Sequence, residues 1–105
     1  MTLEFIEKTY TVRFVKSTYR NGNLYLGLQN EAEDGEWESF CDITVNFDVK
    51  CELNCAFLHM SDMSKEIYNL IRPYIKETGR VMENGYAIYP EVIFDSALVS
   101  SAVEL

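Results

Sequence analysis

The sequence lacks any long hydrophobic run. No apolar stretch exceeds five residues, against the roughly 20 that a helix needs to cross a bilayer. Its first residues, Met1-Thr-Leu-Glu-Phe-Ile-Glu-Lys, carry acids where a secretion signal needs cations. Neither export nor membrane association is expected, which points to the cytoplasm. Cysteine is sparse: Cys41, Cys51 and Cys55 are odd in number and match no disulfide framework, so free thiols in a reducing compartment are expected.

His59 is the only histidine, so a Cys–His or Ser–His pair has one possible base, and no nucleophile motif stands beside it. Cys51, Cys55 and His59 recur at every fourth position. A structural zinc site needs a fourth ligand that the chain does not offer, so no metal is expected and packing is the simpler role. The five glycines are scattered among turn-like segments and form no phosphate-cradling loop. Neither cofactor nor catalytic residue emerges. Carboxylates are numerous enough for chance pairs, so a small hydrolase stays open without a spacing that singles out a pair.

Cations are few as well. Nine Lys and Arg stand against 17 Asp and Glu, a net charge of −8, which repels a phosphate backbone and argues against direct nucleic-acid binding. Solubility alone also explains such acidity. Aromatics are plentiful, and Tyr10, Tyr19, Tyr25 and Trp37 without interleaved cations suit a sheet core or a protein-binding surface better than a base-stacking platform.

With 105 residues, 48% of them apolar, one domain spanning 1–105 and one core are expected. Tyr10, Val12 and Phe14 alternate with Thr11, Arg13 and Val15, the period of two of a half-buried strand. Asn21-Gly22 suits a tight type I′ turn into a second strand, where Leu24, Leu26 and Leu28 alternate. Cys41, Ile43, Val45 and Phe47 predict a third strand, and residues 55–60 a short buried one. Met63, Ile67, Leu70, Ile71, Tyr74 and Ile75 share one helical face. That predicts a helix over 61–72, capped by Ser61 or Asp62 and stopped by Pro73. Asn84-Gly85 marks another hairpin, with Pro90 confining the last strand to an edge or bulge. The expected fold class is α+β: an antiparallel sheet of about five or six strands with one main α-helix packed on one face.

Charge is distributed unevenly. Residues 21–49 hold Glu31, Glu33, Asp34, Glu36, Glu38, Asp42 and Asp48 and no Lys or Arg. Lys8, Arg13, Lys16 and Arg20 precede this segment and could pair with it across the hairpin. Otherwise the seven carboxylates, with Trp37 as apolar anchor, form a partner-binding surface that imitates duplex phosphates and loses strength as salt rises.

The segments Asn23-Leu-Tyr-Leu-Gly-Leu-Gln-Asn-Glu-Ala-Glu-Asp-Gly-Glu, Asn54-Cys-Ala-Phe, Glu77-Thr-Gly-Arg and Tyr86-Ala-Ile-Tyr-Pro-Glu-Val-Ile-Phe-Asp resemble a domain of unknown function. Its members are small acidic proteins encoded on conjugative elements and prophages of gut anaerobes. The similarity runs over about residues 10–95 and brings no active site. It implies a bacterial host cytoplasm and an anti-defence role, such as an anti-CRISPR inhibitor that binds a Cas nuclease like Cas9 and blocks DNA binding or cleavage. The protein would then act as a monomer or small homo-oligomer, without enzyme activity, on a basic nucleic-acid-handling protein. A structural or adaptor module within a mobile element is the alternative.

Overall fold

The computed structural model describes residues 1–5, 8–61 and 63–105. Its strands form two sheets. β1 (Thr2–Phe5), β2 (Lys8–Thr18), β3 (Leu24–Glu31) and β4 (Trp37–Asp42) follow one another in an antiparallel sheet, and β9 (Val103–Glu104) runs parallel to β2. In the second sheet β5 (Thr44–Val45), β6 (Cys55–Leu58), β8 (Ala87–Phe94) and β7 (Ile75–Asn84) lie in that order. Two short helices, α1 (Lys65–Ile71) and α2 (Ser96–Ser101), complete the chain.

This corrects the expected α+β fold of one sheet beneath one main helix. The strand expected through Cys41, Ile43, Val45 and Phe47 breaks in two. Ile43, fully buried, still donates its N–H to Leu26 O at 3.0 Å. Thr44 then pairs with Leu58 in the other sheet. That crossing lets the sheets face each other: Val12, Phe14, Leu26 and Leu28 of the first pack with Ala56, Leu58, Val92 and Phe94 of the second. Each sheet therefore covers the other's apolar face, and no helix is needed for that purpose.

The helix is correspondingly shorter. Ser64, not Ser61, caps it, its hydroxyl accepting from Ile67 N at 3.3 Å; the alternative cap Asp62 lies outside the described residues. Pro73 follows at once in a 3-10 turn, Arg72–Tyr74, because a proline N1/N2 position tolerates the missing N–H whereas a helix interior does not. Of the six apolar residues with helical spacing, Ile67 and Ile71 reach the core, Tyr74 is exposed and Ile75 starts β7.

A smaller cluster lies on the opposite face of the second sheet, where Cys51, Cys55 and Phe57 are buried beneath Phe47 and Tyr89. Arg80 closes it. Its guanidinium donates to Lys50 O at 2.9 Å and to Glu91 Oε2 at 2.5 Å, and it stands over the Phe57 ring. Pro90 sits in β8, between β6 and β7 rather than on an edge, but opposite the β7 irregularity between Glu77 and Val81. No helix among the described residues is long and apolar enough to cross a membrane.

Candidate functional site

The β2–β3 and β3–β4 hairpins close by the same device. In the first, Tyr19 N donates to Asn23 O, Gly22 N to Tyr19 O, and the Asn21 side-chain oxygen Oδ1 accepts from Asn23 N. In the second, Ala32 N donates to Glu36 O, Gly35 N to Ala32 O, and the Asp34 carboxylate accepts from Glu36 N at 2.9 Å. Each is a three-residue loop whose glycine alone adopts positive φ, +91° at Gly22 and +85° at Gly35. The first turn is therefore not the tight type I′ form expected at Asn21-Gly22.

The second turn carries the acids. Glu33 and Asp34 are exposed in the loop and Glu36 at its close, while Glu31 and Glu38 are exposed on the flanking strands. Glu31, Glu33 and Glu38 line a cleft of about 520 Å³ together with Lys8, Tyr10 and Asn30. The structure thus gathers five of the predicted carboxylates at one end of the first sheet.

Asp42 and Asp48 stand apart from them. Asp42 pairs with Gly27 midway along β3 and accepts a 2.7 Å hydrogen bond from Tyr25. Tyr25 reaches it by lying across Gly27, where a Cβ would collide with the phenol oxygen. Burial, followed by the bond to Asp42, raises the Tyr25 pKa, so the phenol stays protonated and donating. Asp48 is exposed beside the other turn, where Asn21 donates to Phe47 O and Asn23 to Val49 O. At ~3.3 Å per residue, the eight residues of β3 separate it from the acidic turn by roughly 25 Å.

Trp37, the expected apolar anchor, is half-buried. The Arg13 guanidinium stacks over its ring, 4.2 Å from the centroid, and donates from Nε to Gln29 Oε1 at 3.0 Å. The sequence singles out Trp37 as an anchor and Arg13 as a cation but not their contact, which the register Arg13↔Gln29 and Glu31↔Trp37 sets on a diagonal across β3.

The contacts of the β2 cations are to groups other than carboxylates, although Lys8 lines the acidic cleft. Lys16 donates to Val99 O at 2.7 Å at the end of α2, and Lys8 stands 4.9 Å from the Tyr10 centroid. Arg13 and Lys16, three residues apart on a strand, project from opposite faces, so the four cations do not form one basic stripe. Among the described residues, no ion pair joins the acidic segment to Lys8, Arg13, Lys16 or Arg20.

The thiols are shielded. Burial, followed by the nearby Asp42 charge, pushes Cys41 up to about 11; burial, followed by Glu91, does the same to Cys51. Cys55 leads a strand rather than sitting on a helix face, and His59 lies 6.3 Å from the Tyr89 ring. Among the described residues, no three His, Cys, Asp or Glu converge as metal ligands.

Residues 14–103 match the model of a family described as a domain of unknown function (DUF4313). The chain belongs to that family. No curated protein and no solved structure matches it. In this member the matched region takes in both hairpin turns, the acidic segment and the Arg80–Glu91 pair, and leaves out β1 and the start of β2.

Proposed function

We propose that this chain is a non-enzymatic binding domain of a mobile genetic element. Its acidic β3–β4 hairpin engages a basic surface on a nucleic-acid-handling protein, and a Cas nuclease such as Cas9 is the partner to test first. One observation carries this reading: five exposed carboxylates crowd the turn against two nearby cations, Lys8 and Arg13, neither of which forms an ion pair with them among the described residues.

Excess negative charge on one hairpin suits electrostatic steering, since its field reaches ~10 Å at 0.1 M salt. A channel that binds duplex through Arg and Lys offers the complementary potential. Occupying it would exclude DNA, so inhibition of loading follows more directly than inhibition of a later cleavage step.

The adaptor reading draws support from a different place. Val81, Tyr86 and Ile88 are exposed on the β7–β8 hairpin, an apolar surface suited to a protein contact. The two readings separate by salt. Tagged protein is used to capture partners from host lysate at low and high salt, and DNA cleavage by any recovered nuclease is then assayed with and without the chain. Salt-sensitive capture of a nuclease with loss of cleavage supports the acidic hairpin; salt-insensitive capture of a protein unrelated to nucleic acid supports the apolar one.

A further inference from the structure

We propose that Asn84, at the tip of the β7–β8 hairpin, is the site of a spontaneous covalent modification, deamidation to aspartate and isoaspartate, and that the fold holds the same Asn-Gly pair at Asn21 unreactive. The chain contains Asn-Gly at 21–22 and at 84–85. Glycine lacks the Cβ that hinders approach to its own backbone nitrogen, so both pairs are intrinsically reactive, and their surroundings decide between them.

In the reaction the Gly85 backbone nitrogen attacks Cγ of Asn84, losing its proton to solvent. The Cγ–Nδ2 bond breaks and ammonia leaves, closing a five-membered imide. Water then opens the imide at either carbonyl. The net change consumes one water, releases one ammonia and involves no oxidation or reduction. It adds one negative charge, and the isoaspartate product also inserts a methylene into the backbone beside the turn.

At Asn84 neither reacting group is held by a hydrogen bond among the described residues. Asn84 pairs with Ala87 and leaves Gly85 and Tyr86 as a two-residue loop, whose first amide lies outside the strand ladder. Asn84 and Gly85 are exposed, Tyr86 is fully exposed, and the Asn84 side chain makes no hydrogen bond among the described residues.

At Asn21 both reacting groups are held. The attacking amide of Gly22 donates to Tyr19 O at 2.9 Å. The Asn21 amide donates to Phe47 O at 3.1 Å, and its carbonyl accepts from Asn46 Nδ2 at 3.2 Å and from Asn23 N at 3.3 Å. Swinging Cγ onto Gly22 N would break all of these at once.

The test incubates the full folded chain in mildly alkaline buffer made with heavy-oxygen water and follows both asparagines by peptide mass spectrometry. A parallel sample is held in denaturant. The expected result is heavy-oxygen acid accumulating at position 84 at least about tenfold faster than at 21 in the folded chain, with the two rates converging in denaturant. The Asn84→Gln variant should abolish the folded-state signal while leaving the melting temperature unchanged. Equal folded-state rates, or an Asn84 that stays amide while Asn21 converts, would overturn the proposal.

Discussion

Arg13 stands over Trp37, its guanidinium carbon 4.2 Å from the ring centroid, and donates from Nε to Gln29. The contact joins β2 to β4 across β3, beside the acidic turn. It also gives Arg13 partners other than a carboxylate.

A double-mutant cycle of Arg13→Ala and Trp37→Phe should return a coupling of about 0.5–1 kcal/mol in denaturant unfolding, the range for a partly exposed cation–π pair. Trp37 is the only tryptophan, so Arg13→Ala should also shift the emission spectrum of the folded chain. Zero coupling with an unshifted spectrum would mean that the stack does not persist in solution.

Glu91 supplies a pH prediction. Burial by itself raises its pKa, but the hydrogen bonds from Arg80, Thr78 and Cys51 outweigh that and hold the folded-state value below the ordinary 4.5. A depressed carboxyl contributes stability in full above its unfolded value, and that contribution is lost as pH falls through the folded one. In Arg80→Met the largest of these lowering bonds is gone while those from Thr78 and Cys51 remain, so the folded-state pKa rises and the carboxylate contributes less stability at neutral pH. The gap in urea midpoint between wild type and Arg80→Met should therefore be widest near neutrality and shrink as pH falls below 4.5. A gap independent of pH would contradict the assignment.

Ile71 and Tyr74 share a helical stripe in the sequence but not a role in the structure. Ile71 is fully buried and Tyr74 is 41% exposed, touching Phe14 at its edge. Ile71→Ala should cost ~2–5 kcal/mol and Tyr74→Ala about 1 kcal/mol or less. Similar costs would restore the longer helix.

That stripe marks where sequence reading fails. Alternation is a reliable sign of a strand, and two Asn-Gly pairs locate two hairpins, because each signal is local. Whether a strand continues in its own sheet is not local. Cys41, Ile43, Val45 and Phe47 alternate without interruption, yet the chain changes sheets at Ile43, and only the long-range pairing of Thr44 with Leu58 reveals it. Once the two sheets cover each other, a long amphipathic helix has no face left to bury, and Ile75 is free to begin a strand. The elements at the ends, β1, α2 and β9, are too short for periodicity; the Asp95 cap, which accepts from Ala97 N at 2.8 Å, is their clearest local trace.

The candidate site was legible in part for the same reason. A run of acids without cations is visible in one dimension, and five of those acids do converge. That Asp48 sits at the far end of β3, and that Arg13 is already engaged with Trp37, depends on register and on the loop over the second sheet.

The most direct test reverses Glu31, Glu33, Glu36 and Glu38 to lysine together. It spares Asp34, whose carboxylate closes the turn. Affinity for the captured nuclease is then measured by titration at two salt concentrations, alongside thermal unfolding. The account predicts a loss of at least about 100-fold, ~2.8 kcal/mol, with the salt dependence gone and the melting temperature within ~4 °C of the parent. Unchanged affinity in a folded variant would contradict it.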